Sequence, residues 1–224
     1  MNTNELYKFL TDLAHNNNRP WFQANKSRWD DLRAQWAEDV AVLLAKMSVW
    51  EPRFANLTPK DCIFRIYRDV RFKTDKSPYK TWVCAGINIY GRSSHNGGYY
   101  IQCGPDSNLS EAFSGLFGGV WLPETPILNK LRKAIADNIE EFTEIINSPD
   151  LLKHFSEWTG PRLKKLPKGY ADNPATNELL KLKEYGKACH CDKKFFTGDW
   201  TSRASERLET LKPLVDFLNY SIEE

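Results

Sequence analysis

Apolar residues recur every three or four positions towards both ends of this chain and every second position in its middle. Between residues 4 and 14, Leu6, Phe9, Leu10 and Leu13 fall on one helical face. The run "HNNNRP" breaks that helix. Asn18 then suits an N-cap and Pro20 a first helical turn, so a second helix is predicted to begin there and run to about Met47. Its stripe of Trp29, Leu32, Trp36, Val40, Leu43 and Met47 has the spacing of a helix packed on a core. Two prolines in 51–59 predict a loop.

From Cys62 the period falls to two. Cys62, Phe64 and Ile66 point one way, and Ile63, Arg65, Tyr67, Asp69 and Arg71 the other, as along a strand. A second strand is predicted over 82–90, a turn-rich connection over 91–98 and a third strand over 99–103; such close spacing implies antiparallel pairing. Residues 103–126 read as irregular, and "GLFGGVW" (115–121) within them as a tight turn. Helices resume near Glu124, with Ile127, Leu131, Ile135 and Phe142 in their stripe. Pro149 opens a short one through Phe155. A basic, proline-rich connection covers 159–174. Residues 177–182 look helical, 184–191 could add a strand, and a last helix over 201–222 is interrupted by Pro213. Strands in the middle and helices at both ends make an α+β protein. Its expected form is a central antiparallel sheet with helices from the N-terminal and C-terminal thirds packed on it. With no repeat and no flexible linker, residues 1–224 are expected to form a single domain.

Charge and cysteine usage narrow the function classes. A net charge of +2 argues against wholesale polyanion binding and leaves room for a local basic patch. Five cysteines, at 62, 84, 103, 189 and 191, are too sparse for a disulfide framework and suit reduced thiols in the cytoplasm. The first ten residues lack the basic and apolar regions of a signal peptide, and the longest strong apolar run, 40–45, is too short to span a membrane.

No P-loop, dinucleotide fingerprint or zinc-protease motif is present, and no cofactor is implied. "GLFGGVW" lacks the lysine and hydroxyl residue that a P-loop needs. Cys189-His190-Cys191 invites a zinc reading, but no second Cys/His cluster accompanies it, so no metal is expected. The four histidines are dispersed, and no serine sits in a nucleophile elbow.

The densest chemistry is "FRIYRDVRFKTDKSPYKT" (64–81), with six cations against two acids. Arginine supplies a planar fork of donors that matches a phosphate or carboxylate and stays charged at any working pH. Arg65 and Arg71 with Lys76 or Lys80 would hold the anion. Tyr67 and Tyr79 could stack on a base or sugar, and Arg19 at a helix start could complete the pocket. Arg68 falls on the other strand face by strict alternation and would instead lock the sheet to a helix or join through a bulge. Asp69 is the one nearby candidate base. The competing reading is a solvated face of ion pairs worth little individually.

A resemblance adds to this. "NNNRPWF" (16–22), "DCIFRIYRDVRFKTDKSPYKT" (61–81), "GGYYIQ" (97–102), "GGVWLP" (118–123), "RLKKLPKGY" (162–170) and "LKPLVDFLN" (211–219) together resemble an uncharacterised, mainly bacterial family catalogued as a domain of unknown function. The likeness covers nearly the whole chain in order. It implies one cytoplasmic α+β domain and transfers no activity. Three details depart from the family pattern: Lys73-Thr74-Asp75-Lys76 stands where Ser-Lys-Asp-Lys is usual, Trp82 where a smaller or polar residue is, and Phe117 where a glycine often is.

Two functional readings follow. In one, the chain binds an anionic small molecule or a nucleic acid end, with or without catalysis, through Arg19, Arg65, Tyr67, Arg68, Arg71, Lys76, Tyr79 and Lys80. In the other it is a non-catalytic interaction or structural module, its arginine block ion-paired internally, and tryptophans such as Trp121 and Trp200 either form an aromatic surface or pack in the core.

Overall fold

The computed structural model describes residues 1–105 and 114–224. Residues 106–113, part of the stretch expected to be irregular, lie outside the described residues. The protein is α+β. Strands β1 (Val83–Ile87), β2 (Gly98–Cys103), β3 (Gly115–Val120) and β4 (Tyr185–His190) form a four-stranded antiparallel sheet in chain order. Two compact units form: Met1–Arg92, Tyr100–Leu116 and His190–Ser205 in the first, and Ser93–Tyr99, Phe117–Cys189 and Glu206–Glu224 in the second.

In the first unit, helix α1 spans Thr3–His15, capped by the Asn2 side chain. The helix expected from Asn18 to Met47 is two, α2 (Arg19–Ala24) and α3 (Lys26–Met47). Asn18 caps α2 through Trp21 N, as its position predicts. The break falls at Asn25, whose side-chain amide donates to Trp21 O at 3.0 Å while its own N–H turns back to Trp21 and Phe22 carbonyls. An asparagine that satisfies the end of one helix competes with continuing it. The loop expected over 51–59 holds a short 3-10 helix, Pro52–Asn56, and leads into α4 (Pro59–Cys62), which is closed by a Thr58–Asp61 capping box. Cys62 is therefore helical, where the two-residue period placed it on a strand.

The core of this unit is aromatic. Phe9 packs on Trp29 at 5.7 Å, and Trp36 stacks on Trp200 at 5.6 Å with the rings 5° from parallel. Trp200 is buried and its indole N–H donates to Asp39 at 2.6 Å, so it belongs to the core rather than to an aromatic surface.

In the second unit, α5 (Thr125–Asp137), α6 (Ile139–Ile146), α7 (Pro149–Leu152), α8 (Asn177–Leu180) and α10 (Lys212–Glu223) carry the stripes the sequence shows. Helix α9 spans Trp200–Glu209, and Pro213 sits in the first turn of α10, which is why the last expected helix divides there. "GLFGGV" is strand β3 and not a turn. Gly118 has Leu211 where a Cβ would stand, and Gly119, at φ +133°, has the Tyr185 carbonyl there. These glycines permit close approach within a sheet. Trp121, just beyond, is exposed.

The second unit also buries charge. Lys187 on β4 is 2% exposed; its amine donates to Phe155 O and Ser156 O, both at 3.0 Å, and lies 4.6 Å from the Trp158 ring centroid. Burial pulls its pKa down to about 8 from 10.5, with Glu157 acting weakly the other way.

All five cysteines are buried free thiols; His190, between two of them, is exposed. Among the described residues no group of three or more His, Cys, Asp or Glu is placed to hold a metal, and no helix is long and apolar enough to cross a membrane.

Candidate functional site

The basic block lies wholly in the first unit. It forms no continuous strand. Residues 63–68 and 78–85 run antiparallel as two legs, joined at Ile63–Ala85 and Tyr67–Tyr79 and by Phe64 N to Cys84 O (3.1 Å), Lys80 N to Ile66 O (2.8 Å) and Arg68 N to Pro78 O (2.9 Å). Two local effects stop the ladder at the tip. Pro78 has no N–H to give. Asp69 and Asp75 each capture the backbone N–H two residues on, Arg71 N at 3.2 Å and Ser77 N at 2.9 Å, which favours turns over a strand. The alternation nevertheless survives as burial: Ile66 is buried, while Arg65, Tyr67, Asp69 and Arg71 are exposed.

The inner leg is fixed by the segment that opens α2. The Asn17 side chain donates to Tyr79 O at 2.9 Å and accepts from Tyr79 N at 3.1 Å, copying the pair of bonds a neighbouring strand would make. Phe22 stacks on the Tyr79 ring at 4.1 Å, 14° from parallel, and Tyr67 lies 5.3 Å from Tyr79. Asn17, Asn18 and Phe22 thus explain "NNNRPWF" as a clamp for "SPYK".

Beside this clamp opens a cleft of about 300 Å³. Its walls include Asn17, Arg68, Lys73, Asp75, Ser77 and Thr81. The Arg68 guanidinium is paired with Asp75 at 2.5 Å and donates to Ser77 O at 3.2 Å. Lys73 has no ion-pair partner among the described residues. Thr81 is buried and its hydroxyl has no hydrogen-bond partner among the described residues.

Of the residues the sequence nominates, Arg68 and Tyr79 line the cleft. Arg71 is exposed and clasps Asp69, with Nη2 at 2.6 Å and Nε at 3.0 Å. Lys76 turns inward to Val70 O (2.9 Å) and Arg71 O (3.3 Å). Lys80 sits over the Phe64 ring at 5.3 Å. Arg65 and Tyr67 are exposed on the outer leg, and Arg19 is exposed in the first turn of α2. The cleft therefore gathers part of the basic block, and the remaining cations surround the hairpin.

Hydrogen bonds from Arg71 hold the Asp69 carboxyl down at about 2. The Ser77 hydrogen bonds, then Arg68, hold Asp75 well below the usual carboxylate range. So strong an acid is a poor proton acceptor near neutral pH, and Asp69 takes no part in the function proposed below. Burial raises the Tyr79 hydroxyl, with the Arg19 charge partly opposing.

Sequence reasoning left Asn17, Lys73 and Thr81 out of the site. Lys73 carried a signal as one of the block's six cations, and Asn17 another: Asn18 alone suffices as the N-cap, which left its neighbour available for another task.

A family model described as a conserved hypothetical protein (DUF2461) matches residues 5–217. No curated protein and no solved structure matches the chain.

Proposed function

The chain belongs to the DUF2461 family, and we propose that it binds a phosphate- or carboxylate-bearing ligand in the cleft beside its basic hairpin. One observation carries this reading: two cations face the cleft, and one of them, Lys73, has no carboxylate of its own among the described residues. Arg68 is already oriented by Asp75 and Ser77, so it can present donors without first ordering a long side chain. Arg19, Arg65, Arg71, Lys76 and Lys80 add a positive surround, which raises the local concentration of anions. Tyr67 and Tyr79 give the hairpin an aromatic base. No reaction step is assigned. Five buried free thiols fit a reducing cytoplasm.

Calorimetric titration with inorganic phosphate, succinate and a nucleoside monophosphate tests the reading. Lys73→Ala should leave the melting temperature unchanged and weaken the best of these ligands roughly tenfold or more, the loss expected for a charged hydrogen bond. Unchanged affinity in Lys73→Ala and in Arg68→Gln would refute it.

A second reading rests on the Arg68–Asp75 and Arg71–Asp69 pairs, which satisfy these arginines internally. On that view the block is structural and the protein a non-catalytic module. No anion would bind, and Arg68→Gln would lower the melting temperature while Lys73→Ala changed nothing.

A further inference from the structure

Phe72 is 95% exposed at the tip of the basic hairpin, the largest exposure of any large apolar residue among those described. Nothing in the packing requires it there. The tip is held by polar contacts that do not involve the Phe72 ring: Asp69 clasps Arg71, Lys76 reaches two tip carbonyls, and Arg68 ties Asp75 and Ser77. The turn is thus pre-organised, and it presents a phenyl ring whose face has the Arg71 guanidinium 5.9 Å from its centroid. A single exposed aromatic is ordinary on a protein surface; what sets this one apart is its place on a braced, cation-rich turn, where a partner could cover it.

The charge around it selects the cover. Segment 64–81 carries six cations and two acids, and both acids are engaged by Arg68 and Arg71. Lys73, next in sequence to Phe72, lines the cleft. We infer that the hairpin binds single-stranded nucleic acid, with a base stacked on Phe72 and an adjoining phosphate at Lys73 and Arg68. This rests on the anion-binding reading of the cleft and names its ligand class. Sequence-tolerant stacking beside a cationic track is the mode by which single strands are held. An anionic membrane surface suits the same charges less well. One ring gives a marginal apolar anchor, and a cleft lined by Asn17, Ser77 and Thr81 offers hydrogen bonds to a phosphate or sugar that a flat bilayer cannot use.

The test uses the full chain and fluorescence anisotropy with a labelled twelve-nucleotide oligothymidylate, a duplex of equal length and phosphatidylserine vesicles. The single strand should bind best, with affinity falling as salt rises. Phe72→Ala should weaken it roughly 5- to 150-fold, while Phe72→Trp should bind and have its fluorescence quenched by the strand. Because the ring is exposed, neither variant should change the melting temperature. Equal oligonucleotide affinity in Phe72→Ala and wild type overturns the inference, as does vesicle binding lost in Phe72→Ala without any strand binding. If inorganic phosphate binds in a Lys73-dependent way and no strand binds, this inference fails and the anion reading stands. If no strand binds and none of inorganic phosphate, succinate and the nucleoside monophosphate does, both fail.

Discussion

Lys187→Met isolates the cost of the buried charge in the second unit. Lys187 is 2% exposed, and burial holds its pKa at about 8, against 10.5 for an ordinary lysine. The folded-state value lies below the unfolded one, so between pH 8 and 10.5 the unfolded chain binds the proton and the native chain does not. Stability from this residue therefore rises with pH across that window and is level on either side of it. At about 1.4 kcal/mol per pH decade the gap corresponds to on the order of 3 kcal/mol. Methionine has similar length and no charge, so the variant lacks this dependence. It also leaves Phe155 O and Ser156 O without their donor, a loss that does not vary with pH. Urea unfolding of both proteins under reductant, from pH 7 to 10.5, gives the difference in unfolding free energy as a curve. Groups common to both chains, such as Cys62, whose pKa burial raises to about 11, cancel in it. Wild type should gain about 3 kcal/mol relative to the variant as pH rises through the window. A difference that stays flat within about 0.5 kcal/mol would mean that Lys187 titrates as it does in water, and would refute the reasoning.

Two further substitutions follow from the first unit. Asn17→Ala removes both bonds to the Tyr79 backbone, and should lower stability by about 1–3 kcal/mol in chemical denaturation and weaken any ligand of the cleft. Trp200→Ala removes a buried ring stacked on Trp36 and the donor to Asp39; a loss of about 3–5 kcal/mol is expected, seen as a collapse of the melting temperature rather than as loss of a partner from a folded protein.

The helices were legible because their stripes are long and their punctuation local: Asn18 and Pro213 mark boundaries by chemistry that acts within one turn. The division at Asn25 escaped, since an asparagine inside a helical stripe does not announce that its amide will cap the preceding turn. Strand β3 escaped for the opposite reason. Three glycines in six residues read as a turn, and only the positions of Leu211 and Tyr185, far along the chain, explain Gly118 and Gly119. In the basic block the period of two forecast which side chains face water, but not that Asp69 and Asp75 would fold the ladder into turns. The Arg68–Asp75 pair was within local reach of pattern reasoning. Asn17 with Tyr79 was not, because nothing in either segment names the other.

That separation shapes how the site comes into being. Asn17 and Tyr79 stand 62 residues apart. Closing a loop of that length costs roughly 4 kcal/mol, more than two hydrogen bonds return net in water. The amide cannot draw the segments together. The packing of α1, α2 and α3 and the Phe22–Tyr79 stack must supply the rest. Asn17 is a latch: its two bonds hold the cleft wall in register only because the packing behind it has already brought the segments together.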